Sequence, residues 1–428
     1  MMRVLKSLGP AIIVASVVLG PGSILTSSKV GCQYGYQMVW VLVAAVILMI
    51  GMTTVSAYLG ACSQRSLCDQ LADRWGRPLA VAVGVLVFVI IACFQSSNNA
   101  AVLAVIEGMW ESAKPSHSGK LPDDEGTSLW IKLAVLAALN GFLVATLFGF
   151  KRLYRPLERF MMLLVLAMLL AFGANLIAAR PAWGATLSGL LPNLPSTEDA
   201  GTASLLPLLA LVATTYSVAG AFYQSYLVRE KGWDDQQLRL GLWDSIAGIS
   251  ILGAVSLMIM LTSAAALHGK VPVEELRSVN DVAQQLQPLF GSAAATLFQW
   301  GLFAAALSSF LGNALIGGTI LSDGLGWGAK MEQAGPRGCT VAALLLGLAI
   351  ASYTAIAGSN AVNVIILAQA LTVLGMPLLA VLLVVMGWRA KKAGKPIPTS
   401  MLWVATLGTA VSFVLAGRTI LLLWPSGG

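Results

Sequence analysis

Residues 9–27 read GPAIIVASVVLGPGSILTS, an apolar run with Gly20-Pro21-Gly22-Ser23 near its middle. A run this apolar has about the length needed to cross roughly 30 Å of hydrocarbon as a helix. Its centre works against that. Proline removes a backbone donor and clashes with the preceding turn, and glycine has a poor helical preference. At membrane depth an interrupted backbone is tolerated only where protein or a water-filled cavity satisfies it. A proline kink, common in membrane helices, is the simpler reading. The alternative is a helix that breaks at a protein-lined site.

The rest of the chain supports a membrane setting. Over 428 residues it is 57% hydrophobic and 11% charged, with a mean hydropathy of +0.81. Soluble domains carry about 25% charge, and 26 basic plus 19 acidic residues cannot cover a soluble surface of this length. Eleven spans are expected at 9–27, 38–60, 78–109, 130–149, 156–178, 204–228, 239–263, 290–321, 338–357, 360–387 and 401–423. Cys32, Cys62, Cys68, Cys93 and Cys339 form no disulfide or metal pattern. His117 and His268 fall in expected loops. The N-terminus leads straight into a long helix, so no cleaved signal peptide is expected.

Charge sets the orientation. With the N-terminus inside, 18 of the 26 lysines and arginines fall on the cytoplasmic side, among them Arg65, Arg74, Arg77, Lys151, Arg152, Arg389, Lys391, Lys392 and Lys395. Seven fall outside, and Lys29 sits near an outer helix end. That asymmetry predicts a multi-pass protein of the plasma (cell inner) membrane with a cytoplasmic N-terminus. No loop is large enough for a soluble domain, so residues 1–428 are expected to form one membrane transport domain.

The sixth expected span carries a second weak point, Thr214-Thr215-Tyr216-Ser217-Val218-Ala219-Gly220. Spans 1–5 (about 9–178) and 6–10 (about 204–387) can then be two five-helix halves, with span 11 (about 401–423) peripheral. Five is odd, so the halves must be inserted in opposite senses, and each has its break in its first helix. Paired interruptions of this kind point to a transporter's midplane site. The expected fold is all-α and polytopic, a LeuT-like inverted repeat with broken helices 1 and 6.

Particular residues also resemble a known family. Gly9-Pro10-Ala11, Pro21-Gly22, Gly31-Cys32-Gln33-Tyr34-Gly35-Tyr36 and Trp40-Val41-Leu42 resemble the start of NRAMP divalent-metal transporters. The likeness continues at Gly149-Phe150-Lys151-Arg152-Leu153, Trp183-Gly184, Gly189-Leu190-Leu191-Pro192, Tyr223-Gln224-Ser225-Tyr226-Leu227-Val228, Ser308-Ser309, Gln369 and Pro377. It covers nearly the whole chain and implies secondary transport by alternating access. The chemistry-bearing positions depart from the family. Its first-helix D-P-G-N motif has Gly20 and Ser23 at the two metal-binding places, and its sixth-helix M-P-H motif reads Ser217-Val218-Ala219, followed by Gly220. Gln224 replaces a later histidine, Phe94 and Ser97 replace acids linked to proton movement, and Leu307 replaces a glutamine.

This donor set shapes the substrate expectation. Transition metals need charged or soft ligands in exchange for lost water, whereas half-helix amino ends offer partial positive charge and N–H groups. The expected cargo is a small anion or zwitterion, such as bicarbonate, a short carboxylate or an amino-acid-like solute. A divalent metal transporter of altered selectivity, for example for hydrated Mg²⁺, is the alternative, and a non-transporting sensor a third. Candidate substrate-binding residues are Gly20, Pro21, Gly22, Ser23, Ser217, Val218, Ala219, Gly220, Ser97 and Gln369. Ser308 and Ser309 are candidates for a coupling-ion site, with Na⁺ or H⁺ the ions in question. The polar run Gln95-Ser96-Ser97-Asn98-Asn99 also suits packing between helices. Asp244 and Glu107 read as structural or interfacial charges. No phosphate-binding loop or nucleophile–base pair occurs, so neither an enzyme nor a cofactor nor a nucleic-acid partner is expected.

Overall fold

The computed structural model describes residues 9–63, 65–113, 124–149, 154–193, 205–234, 237–276, 282, 292–357 and 372–423. Among these, every regular element is helical. Span 1 is a pair, Pro10–Val18 (α1) and Pro21–Tyr34 (α2), bent by 59°. Span 2 is Val39–Ala61 (α3), followed by the short Leu67–Trp75 (α4). Spans 3, 4 and 5 are Arg77–Ala113 (α5), Asp124–Gly149 (α6) and Tyr154–Ala179 (α7), after which comes Trp183–Ser188 (α8). Span 6 is again divided, into Leu206–Thr215 (α9) and Val218–Lys231 (α10). Leu238–Ala266 (α11), Ser292–Leu325 (α12), Ala334–Ile356 (α13), Met376–Lys392 (α14) and Thr399–Leu423 (α15) provide spans 7 to 11. Ten of these helices, or eleven spans when the bent pair counts as one, are long and apolar enough to cross a membrane.

The first break forms as its sequence predicts. Pro21 begins α2 at a position where its missing amide costs nothing. The chain leaves α1 through Leu19 and an extended Gly20 at φ −88° and ψ 179°. Ser23 then stitches the gap, its hydroxyl donating to the Val18 carbonyl at 2.8 Å. The second break is capped by its own sequence, since the Ser217 side chain accepts the Gly220 amide at 3.3 Å. Ser217 therefore acts as a helix N-cap, which explains a serine at this position.

Burial sorts the spans into layers. In spans 6 and 8, 89% of the most apolar window is buried, against 22% in span 4 and 33% in spans 5, 9 and 11. The outer spans present Phe142, Leu163, Leu170 and Ile177 outward, as apolar side chains facing lipid do. Both parts of span 1 are buried along almost their whole length, so the broken helices occupy the centre.

Two local features differ from the sequence expectation. Span 1 runs to Tyr34 rather than Ser27, because Lys29 and Gln33 lower the hydropathy without ending the helix. It stops at Gly35, whose φ of +57° lies in the left-handed region that favours glycine. The stretch after span 2, read as a loop, contains α4. Ser66 caps it by accepting the Asp69 amide at 3.1 Å, and Leu67, Cys68 and Leu71 are buried on one face.

Candidate functional site

The two breaks adjoin. A Cβ added at Gly220, in the first turn of α10, would lie 3.1 Å from Val18, the last residue of α1. A Cβ at Gly20 would lie 2.6 Å from the Ser309 hydroxyl of span 8 and 3.6 Å from Asn98 Oδ1 of span 3. Gly20 is thus required by close approach rather than by its backbone angles. The first amides of α2 and α10 have no acceptor within their own helices, as at any helix start. Those of Gly22, Ser23, Val218 and Ala219 therefore begin the half-helices at the centre of the bundle.

The sixth-span break also borders a small cavity of about 10 Å³, bounded by Phe94, Ser217, Val218, Ala219, Thr372 and Met376. One water-sized probe fills a volume of that order. Gly20 and Ser23 are themselves buried. Among the described residues no three His, Cys, Asp or Glu side chains come together. The donors and acceptors at the breaks are hydroxyls, backbone amides and carboxamides.

The polar run of span 3 divides by role. Gln95 donates to the Phe310 carbonyl at 2.7 Å, and Asn140 of span 4 donates to Asn99 Oδ1 at 2.8 Å. These bonds tie spans 3, 4 and 8 together. Ser97, expected to line the site, gives its hydroxyl to Phe94 on its own helix at 3.0 Å. Its neighbour Asn98 takes the position beside Gly20. The Asn98 amide nitrogen donates to Gln95 at 3.0 Å, while its Oδ1 is buried with no hydrogen-bond partner. A buried acceptor left unmatched is costly, and with its place beside Gly20 this makes Asn98, rather than Ser97, the candidate from the polar run.

Ser308 and Ser309 do meet the first break. Ser308 donates to the Ser16 carbonyl of α1 at 2.8 Å and to Ala305 at 2.9 Å. Ser309 accepts Asn313 Nδ2 at 2.7 Å and faces Gly20. Gln369 lies outside the described residues; Pro21 and Gly22 start α2.

On the face bearing the N-terminus, buried and partly buried charges tie the helices together. Asp244 of span 7, fully buried, accepts the amides of Gly9 and Ala11 at 2.8 Å each and the Gln224 carboxamide at 3.3 Å. Its expected structural role is what these bonds provide. Beside it, Lys231 at the end of α10 pairs with Glu158 of span 5 at 2.9 Å. A second acid, Asp323 at the end of span 8, accepts Tyr226 at 2.6 Å and Ser66 at 2.8 Å. Sequence reasoning did not single it out, because an acid near the end of a span reads as interfacial. These contacts clamp α1, α4 and α10 to spans 5, 7 and 8.

Comparison with known proteins agrees with this architecture. A family profile described as natural resistance-associated macrophage protein-like (Nramp) matches residues 11–424. A divalent metal cation transporter MntH of Deinococcus radiodurans is 26% identical, over 99% of this chain and 90% of its own. Proteins of the same name from Klebsiella pneumoniae and Yersinia pestis are 27% and 28% identical, covering 95% and 98% of this chain and 91% and 95% of theirs. The manganese transporter of Eremococcus coleocola, solved with an aromatic bis-isothiourea compound, superposes with a TM-score of 0.67 at 18% identity, over 98% of this chain and 94% of that one. MhsT in complex with L-phenylalanine superposes at 0.60 and 16% identity, over 95% and 98%. The shared broken-helix fold and the match along nearly the whole sequence place the chain in the Nramp family, as a multi-span membrane transporter.

Proposed function

We propose that this transporter works by alternating access and carries a small carboxylate-bearing solute, with an amino-acid-like zwitterion the best fit. The observation that carries the reading is the pairing of half-helix amides with the unpartnered Asn98 Oδ1 beside Gly20. Amides at a helix start suit a carboxylate, and an acceptor-only oxygen suits an ammonium group. Bicarbonate and short carboxylates would use the amides alone. The remaining substrate-binding candidates, Ser217 to Gly220 and Ser23, contribute backbone and caps around the same point. Ser308 and Ser309, set against the carbonyl of Ser16, are where a coupling Na⁺ would be held; proton coupling is the other option. The excess of basic residues at the N-terminal face supports a cytoplasmic orientation of that face in the cell inner membrane.

A second reading is favoured by the relatives. The MntH proteins are named divalent metal cation transporters, and at 26–28% identity over nearly full length their names weigh for a metal cargo and give no support to an organic one. The side chains at the breaks weigh the other way. A hard ion that keeps most of its water, as Mg²⁺ does, is the metal that asks least of this donor set.

Uptake into proteoliposomes separates the two readings. Radiolabelled small amino acids, short carboxylates and bicarbonate are assayed beside Mn²⁺ and Mg²⁺, with and without sodium and proton gradients. The first reading expects saturable uptake of an organic solute. Metal flux with no organic flux overturns it in favour of the second, and binding without any flux identifies a sensor.

A further inference from the structure

We propose that the N-terminal face carries an anion site, separate from the broken helices, that takes the phosphate group of an anionic phospholipid. A cavity of about 230 Å³ opens where span 2 and span 10 end beside α4. Its polar walls are Gln70, Arg74, Arg389 and Lys395, and Leu59 and Met386 form part of its apolar side. Three cationic side chains thus line one cavity together, and no carboxylate lines it.

Both acids of α4 are paired with arginines outside the cavity. Asp73 is engaged by Arg65, and Asp69 is held by Arg77 at 3.3 Å. Arg74 and Arg389 stand over the same Trp75 ring, 6.0 and 4.9 Å from its centre. The ring steadies both guanidinium groups beside the cavity that they line. Guanidinium forks match phosphate oxygens. Basic pockets between transmembrane helices at the cytoplasmic interface are suited to lipid phosphates, and the apolar wall suits the glycerol and upper acyl chain. Free phosphate presents the same chemistry without that apolar part.

Cys62 borders the cavity, so its alkylation reports occupancy. The full-length protein is placed in nanodiscs of phosphatidylcholine alone, of phosphatidylcholine with phosphatidylglycerol, or of phosphatidylcholine with millimolar inorganic phosphate. Reaction of Cys62 with uncharged N-ethylmaleimide is then followed by mass spectrometry. Phosphatidylglycerol is expected to slow the reaction, by roughly fivefold for each cation engaged. That protection should vanish in Arg74→Gln/Arg389→Gln and persist in part in Arg74→Lys/Arg389→Lys. Equal protection by inorganic phosphate, lost in the same variant, keeps the phosphate site and overturns the lipid as its source. Unchanged alkylation in all three settings, or protection retained by the glutamine variant, overturns the site. Should the double variant fail to fold, Lys395→Gln serves the same comparison.

Discussion

The carboxylate of Asp244 accepts the amide of Gly9 at 2.8 Å, so a side chain of span 7 holds the backbone just ahead of the first half-helix. With the Ala11 amide on its other oxygen, Asp244 supplies acceptors to donors that α1 cannot satisfy itself. Hydrogen bonds to a charged acceptor contribute about 1.5–3 kcal/mol each.

Replacing Asp244 with alanine is therefore expected to cost about 3 kcal/mol, and with asparagine less, because one oxygen remains. The loss should appear as a lower Tm in detergent. It should also loosen α1: a cysteine placed at Val14, fully buried here, should react faster with thiol reagents in Asp244→Ala than in the parent. An unchanged rate would mean that the Lys231–Glu158 pair suffices to hold these helices together.

At Gly20 the expected effect is crowding. Gly20→Ala puts a methyl group 2.6 Å from the Ser309 hydroxyl and 3.0 Å from its Cβ, an overpacking worth about 1–3 kcal/mol. Ser309→Gly should relieve most of it, so a double-mutant cycle on Tm should show strong coupling between the two positions. Additive effects would show that the half-helix shifts instead.

Asn98 separates substrate binding from packing. Asn98→Ala removes a carboxamide that makes one bond, to Gln95, and should lower stability by about 1 kcal/mol. If the free oxygen receives an ammonium group, uptake of the organic solute should fall roughly 10- to 100-fold, the equivalent of a lost charge-assisted hydrogen bond. Uptake at the parent rate would remove Asn98 from the site.

The cysteines give a pH-dependent test. Burial, then the charge of Asp323, pushes the Cys68 thiol well above the usual thiol range. Thiolate is the reactive form, so in the folded protein Cys68 should stay unmodified by N-ethylmaleimide through pH 9, while the half-buried Cys62 is modified. Modification of Cys68 at pH 8 at the rate of Cys62 would show that α4 undocks readily.

The parts of this molecule legible in the sequence are those fixed by length and by backbone chemistry. Apolar runs such as 38–60 and 239–263 could only be spans, and Gly20-Pro21-Gly22 left a kink or a break in one, which the second weak point in span 6 turned toward a break. What remained hidden depends on rotation about a helix axis. Ser97 and Asn98 are one residue apart, hence about 100° apart on span 3, and no periodicity in so apolar a helix says which of them faces Gly20. The short α4 was missed for the opposite reason, since nine residues with few apolar positions raise no hydropathy signal. Ser66 followed by Asp69, with Leu67 and Leu71 one turn apart, was the available sign. Asp323 needed two partners from separate parts of the chain, Ser66 and Tyr226, before its burial made sense.

The close fit of Gly20 against Ser309 also bears on descent. The NRAMP motif that this stretch resembles has an acid at this place, and here the Ser309 hydroxyl, 2.6 Å from a Cβ added at Gly20, occupies room such a side chain would need. A single back-substitution would then be selected against before any lost ligand could be useful, whatever cargo the ancestor carried. Return would require Ser309 to shrink first, a change with no benefit of its own. Packing at one glycine can in this way make a change of specificity a one-way step in the history of a lineage.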